Sequence, residues 1–359
     1  MSLKTLAPSL LQRSDEIGLE KILLFPHKLS SLWLNREGAD LSYPISVELS
    51  LTNNCDLSCP WCSDLKLRQT LPDLLTAELL EDLFIDLSLG ETRGVTIEGG
   101  GEPTLSWLFE IAVEKALKSG LKLGLITNGI RLFGPPLGQD RWAELVSQFQ
   151  WVRISLDAGD RNNYLALKGR DYFEQVLDNL SKLTNLTPRP TVGVGYVLTN
   201  LNDRPDSLLA LALRLKKIGV DYLHLRPVVD HAELESQNSA DFLANMADNA
   251  FAVNLGAMKD NLGKGNDGLP CLAHSLSCVI AADGSVWLCG RRDFDLPAGS
   301  LGSLTEQSFK QIWSGPKRLK RVALAAKGED CLVRCPQCRM TKYNRLLHNL
   351  EKIKTRDFI

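Results

Sequence analysis

A chain of 359 residues, 44% of them hydrophobic, with 16 Pro and 27 Gly spread throughout, holds enough apolar material for one large domain with an appendage, or for two domains. A net charge of -2 excludes a global field that would recruit nucleic acid or a membrane surface. Residues 1–16 lack the apolar stretch of a secretion signal, and no apolar run approaches bilayer-spanning length, so the expected location is the cytoplasm.

In chain order, residues 1–43 read as short helices, notably Asp15 to Leu24, closing near Pro26 and Tyr43-Pro44. Strand and helix patterns then alternate. Strands are expected at 45–51, 94–98, 121–127, 151–157, 191–198 and 221–226. Helices are expected between them at 76–88, 105–119, 140–149, 171–185 and 205–218, with Thr76 and Asp171 as N-caps. This alternation implies parallel units with right-handed crossovers. Six units, rather than eight, describe an α/β fold with a partial (β/α)6 TIM-like barrel. The alternation stops near Val229. Residues 231–270 read as a linker or lid, helix-like at 239–258; from Cys271 come short strands, a turn at Asp283-Gly284 and basic helices. The expected division is therefore 1–43, 44–230, 231–270 and 271–359.

Nine cysteines fall into two groups, three at positions 55–62 and six between 271 and 338. An odd number cannot close as disulfides, and two segregated groups in a reducing compartment point to two metal-binding regions. The first group is Cys55, Cys59 and Cys62, in Cys-Asp-Leu-Ser-Cys-Pro-Trp-Cys, directly after the first strand. Three thiolates on one loop can hold three irons of a [4Fe–4S] cube and leave the fourth open to a ligand. A zinc knuckle would need a second CxxC or a His pair nearby, and none is present. The second strand runs into Gly99-Gly100-Gly101-Glu102-Pro103. A dinucleotide fingerprint would place a helix start inside the glycines; here Glu-Pro closes the run.

A strand-loop CxxxCxxC followed by a strand ending in GGEP resembles the radical S-adenosylmethionine (SAM) superfamily. The resemblance implies that a reduced cluster cleaves SAM to methionine and a 5'-deoxyadenosyl radical, which takes hydrogen from a C–H bond, and that an external one-electron reductant is required. It also implies roles for strand-end residues. Gly100, Gly101 and Glu102 would hold the methionyl ammonium, with Trp61 beside the adenine. Ser155 and Asp157 would bind the ribose, and Lys168, or Arg170 beside it, the carboxylate. These polar residues also have ordinary uses as loop caps and solvated charges.

The second group comprises Cys271, Cys278 and Cys289, then Cys331, Cys335 and Cys338, with Gly284 five residues before Cys289. It resembles the SPASM or twitch extension of radical enzymes, which implies at least one auxiliary [4Fe–4S] cluster. The full SPASM pattern has seven cysteines for two clusters, and this region has six. Four cysteines would otherwise make a tetrahedral zinc site.

Extensions of this kind occur on peptide-modifying enzymes and on dehydrogenases or epimerases of aminosugars and related small molecules. The extra cysteines and the basic segment 316–359, with 12 Lys/Arg against 4 Asp/Glu, favour a ribosomally made precursor peptide. Only 54 residues precede Cys55, too few for a fused leader-binding module, so a separate small recognition partner is expected. His224 and His231 lie at or just beyond the sixth strand, as packing residues or as acid/base groups.

Overall fold

The computed structural model describes residues 21–34, 41–229, 231–238, 240–255, 269–290, 299–326 and 340–352. Six parallel strands form where the sequence pattern places them: β1 (Ser46–Leu49), β2 (Gly94–Ile97), β3 (Lys122–Thr127), β4 (Trp151–Ser155), β5 (Thr191–Leu198) and β6 (Tyr222–Pro227). Helices Ala77–Leu89, Phe109–Lys118, Gly138–Ser147, Phe173–Thr184 and Pro205–Ile218 connect them. Alternate strand residues such as Leu49, Ile97, Leu125, Ile154, Val194 and Leu225 are almost completely buried in one apolar cluster with Phe84, Ala112, Leu145 and Val176 of the helices. Each such side chain contributes about 1.5–3 kcal/mol of transfer free energy. The opposite face of the sheet lines the barrel interior.

The sheet is wider than six strands. β7 (Ala252–Asn254) adds in parallel to β6, inside the stretch expected to be helix-like. The chain around it holds a short 3-10 turn, Asp241–Met246. At the other edge, β8 (Ser277–Ile280) pairs in parallel with β1, and β9 (Ser285–Trp287) and β10 (Gly302–Ser303) follow antiparallel. The order is β10-β9-β8-β1-β2-β3-β4-β5-β6-β7. The cysteine-rich region thus continues the barrel's own sheet.

Two expected features differ at the termini of helices. Pro26 begins a helix, Pro26–Leu34, rather than ending one, because its fixed φ and missing N–H suit a first turn. Asp15 to Glu20 lie outside the described residues. Thr76 caps its helix by accepting from the Leu79 N–H, but Asp171 caps nothing: it pairs with Arg161, and Tyr172 occupies the cap position. Among the described residues no helix is long and apolar enough to cross a membrane.

Candidate active site at the carboxyl ends of the strands

The loop after β1 carries Cys55, Cys59 and Cys62, all free and half-buried. Asp73 pins its start, accepting from Thr52 Oγ1 at 2.5 Å and from the Asn53 N–H at 2.7 Å. Arg68, on the helix Leu65–Thr70, reaches back to donate to Asn53 O at 3.1 Å and to Cys62 Sγ at 3.6 Å. Burial pushes the Cys55 thiol up to about 11, with the Leu57 backbone N–H and Arg68 pulling partly back.

The glycine run fastens this loop to β2. Gly101 N–H donates to Thr52 O at 2.8 Å, Glu102 N–H to Asn54 O at 2.7 Å, and Gly100 N–H to Asp64 Oδ2 at 3.0 Å. A methyl group on Gly101 would stand 1.9 Å from Asn54 O, and Gly100 has φ +57. The close approach that needs glycine is thus made to the cysteine loop itself. Gly101→Ala is expected to displace the loop and reduce the iron retained after anaerobic reconstitution by about one cluster, roughly four atoms per chain. Full iron content in that variant would contradict the assignment.

Glu102 is 3% exposed and organises the strand ends. Its Oε1 accepts from Thr104 N (3.1 Å), Thr104 Oγ1 (2.7 Å) and Thr127 Oγ1 (2.5 Å), and its Oε2 from Asn128 N (2.7 Å). Asn128 Nδ2 in turn donates to Asp56 Oδ1 at 2.7 Å on the cysteine loop. Burial raises the carboxyl's pKa and these hydrogen bonds oppose it. Three of the donors crowd Oε1, and Oε2 accepts a single bond from this network. Glu102→Gln is expected to cost about 1–3 kcal/mol of stability besides cofactor affinity, because the amide NH2 must face one of these donors. A melting temperature equal to wild type would remove the network from this account.

The family resemblance assigns Asp157 to the ribose and Lys168 to the carboxylate. The structure commits them to each other. Lys168, 2% exposed, donates to Asp157 Oδ2 at 2.5 Å and to Cys59 Sγ at 3.4 Å, and lies 5.4 Å from the centre of the Trp61 ring. Burial works against its charge, but Asp157 and Cys59 outweigh that and hold it above the usual lysine range. Asp157 has φ +56, and its Oδ1 accepts from Val197 N at 2.7 Å. Asn202 donates to Asp157 O (2.9 Å) and Val197 O (2.8 Å), locking the ends of β4 and β5 together. Ser155 sits half-buried at the end of β4, opposite Gly195. Arg170 is exposed and lines a cavity of about 220 Å³ with Asp56, Arg131, Tyr172 and Gln175.

Two residues here escape sequence reasoning. Asn202 lies in a polar run after β5 that reads as an ordinary loop. Tyr164, on the helix Arg161–Lys168, is completely buried with a phenolic oxygen that has no hydrogen-bond partner. That oxygen feels the charges of Lys168, Cys59 and Asp157.

These observations test the fit of a cluster. Among the described residues no three metal-binding side chains converge on a single ion. A four-iron cube holds its thiolates farther apart than one ion does. Unbonded thiols with cationic donors at two of them, and an orphaned polar atom alongside, suit that larger anionic group.

In the second group, Cys271 and Cys289 are half-buried, whereas Cys278 is fully buried in the main apolar cluster and its thiol is pushed far up by that burial. Its placement corrects the expectation that it is a ligand: a thiol packed in the core serves as a small hydrophobe. Cys331, Cys335 and Cys338 lie outside the described residues. Both flanks of their segment are nevertheless tied beside Cys271. Cys271 N–H donates to Ala325 O (3.0 Å), and Leu272 and Ala273 N–H donate to Asn344 Oδ1 (2.8 and 2.7 Å).

Residues 49–212 match the radical SAM superfamily, and residues 271–339 match SPASM, an iron-sulfur cluster-binding domain. An S-adenosylmethionine-dependent nucleotide dehydratase of Selenomonas ruminantium is 30% identical over 45% of this chain; the match spans 58% of that protein, less than two thirds of its length. The mycofactocin maturase MftC of Mycolicibacterium smegmatis is 28% identical over 76% of this chain and 71% of its own. In fold, the chain is similar to Streptococcus suis SuiB bound to precursor peptide SuiA, with a TM-score of 0.62, 15% identity, and coverage of 93% of this chain and 78% of that one. The cofactors are accordingly a [4Fe–4S] cluster and SAM, with an auxiliary iron–sulfur cluster in the C-terminal region. When bound, the reduced cluster and SAM would supply a 5'-deoxyadenosyl radical. The chain thus carries a radical SAM domain at residues 49–212 and a SPASM iron–sulfur cluster-binding domain at residues 271–339.

Proposed function

We propose that this protein abstracts hydrogen from a C–H bond of a ribosomally made peptide, which a separate small partner delivers to the barrel. One observation carries the choice of substrate. The similarity to the mycofactocin maturase MftC extends over 76% of the chain, whereas the similarity to the nucleotide dehydratase extends over 45%. The fold likeness to SuiB supports the same reading. Cys55, Cys59 and Cys62 would ligate the first cluster, with Glu102 and the Gly100-Gly101 backbone toward the SAM ammonium and Trp61 beside its adenine. Ser155 would contribute to the ribose site, and Arg170 takes over the carboxylate role from Lys168. Cys271 and Cys289, with Cys331, Cys335 and Cys338, would hold the auxiliary cluster. The barrel unit would extend through β7, the cysteine-rich unit beginning near Cys271.

The second reading, a dehydrogenase or epimerase of a small molecule such as a nucleotide or aminosugar, is favoured by the 30% identity to the dehydratase. The test is co-expression with short reading frames flanking the gene, followed by mass spectrometry of the peptides. A peptide mass change that requires SAM and both cysteine groups is expected. Unchanged peptides, together with 5'-deoxyadenosine formation coupled to a nucleotide or aminosugar, would establish the second reading instead.

A further inference from the structure

Arg153 of β4 and His224 and Arg226 of β6 lie across β5 on one face of the sheet, the first two half-buried and Arg226 exposed at the strand end. Ile154 of β4 meets Val176 of the helix Phe173–Thr184 at Gly129, so the adjacent Arg153 points the other way, inward. The glycines of β5 make room there. A methyl on Gly193 would lie 2.0 Å from the Tyr222 ring, and one on Gly195 would lie 3.5 Å from Arg153 Cδ. Strand register stacks the lining in rows: Arg153, Gly193 and Tyr222, then Ser155, Gly195 and His224, then Val197 and Arg226.

Arg153 differs from several of the barrel's arginines. Arg189 is bidentate to Asp221, Arg214 pairs with Glu174, and Arg141 with Glu110. Arg153 Nε is buried with no hydrogen-bond partner, and its guanidinium sits 6.0 Å from the Trp151 ring centre. A guanidinium cannot shed its proton to relieve this, and a buried donor left unmade is costly. His224 feels both Arg153 and Arg226; with burial they push its imidazole down to about 3, so it is neutral and can offer one N–H.

We propose that Arg153 and His224, with Arg226 at the open end of β6, form a substrate subsite for an oxyanion, a carboxylate or a phosphoryl group. The planar fork of Arg153 matches either bidentately. The position suits a substrate anchor: Arg226 pairs with Val197, whose N–H donates to Asp157 in the ion pair beside Cys59. Two inter-strand spacings, about 10 Å, separate β4 from β6 at that level. The inference rests on the reading of the barrel interior as the substrate chamber, and leaves open which substrate family supplies the anion.

The test is isothermal titration of the reconstituted enzyme, with SAM saturating so that the cofactor's own carboxylate site is filled. Glutarate and inorganic phosphate are the probes. Saturable binding of at least one is expected, weakened tenfold or more in Arg153→Met and partly restored in Arg153→Lys. Tighter glutarate binding marks a carboxylate source, tighter phosphate a phosphoryl source. Because Arg153→Met removes an unpaired buried donor, its melting temperature should equal or exceed that of wild type. No saturable binding of either anion, undiminished binding in Arg153→Met, or a clear drop in its melting temperature would each overturn the subsite. Wild-type 5'-deoxyadenosine formation without substrate is measured in parallel; if it is normal while anion binding fails, the subsite alone is lost.

Discussion

Replacing Cys55, Cys59 and Cys62 together by alanine is expected to abolish SAM cleavage while leaving iron bound in the C-terminal region. The loop itself should survive. Its position depends on Asp73 at Thr52 and Asn53, on Arg68 at Asn53 O, and on the Gly101 and Glu102 backbone bonds, none of which involves a thiol. The second cysteine group is built on different elements, with Cys271 tied to the helix Pro316–Ala326 and Leu272 and Ala273 to the helix Thr341–Lys352. Loss of the triplet therefore removes one cluster and leaves the other. Iron and sulfide counts after anaerobic reconstitution, with chromatography of 5'-deoxyadenosine, give the answer. Normal product from the triple variant would refute the site.

Lys168→Met is expected to have two separable effects. The pair with Asp157 is buried on both sides, with side-chain exposures of 2% and 4%, and removing one partner of such a pair costs about 3–5 kcal/mol. Lys168 also donates to Cys59 Sγ. Deleting a cationic donor to a cluster ligand disfavours the more negative reduced state, so the reduction potential should fall. Lys168→Met combined with Asp157→Asn removes the orphaned carboxylate and should recover much of the stability. It cannot recover the donor at Cys59, so the potential should stay below wild type. A redox titration followed by electron paramagnetic resonance reads the potential, and thermal denaturation reads the stability. An unchanged potential in both variants would make the pair structural only.

The features legible in the sequence are those written locally. Strands β1 to β6 show because one face of each is buried against helices, and the cysteine loop and Glu102 because each motif occupies a few consecutive residues. The helix Arg161–Lys168 shows no helical periodicity because its apolar residues are four consecutive ones in a segment of eight; Asp160, which caps it at the Asn163 N–H, is the available signal. β7 is three residues long and exists through its pairing with β6, which no local pattern encodes. The same holds for the site. That Lys168 would turn to Asp157 and Cys59 rather than to a cofactor carboxylate depends on a helix that ends at Gly169 in the left-handed conformation, φ +75. The meeting of Arg153, His224 and Arg226 depends on strand register across two crossovers.

Assembly of a radical-generating cofactor site at the strand ends of this barrel is tested most directly by measuring 5'-deoxyadenosine with mass spectrometry. The anaerobically reconstituted wild-type enzyme, with its full iron complement, is mixed with SAM and dithionite. Time-dependent 5'-deoxyadenosine and methionine in equal amounts are predicted. A fully iron-loaded protein that binds SAM and releases no 5'-deoxyadenosine under reduction would contradict the account.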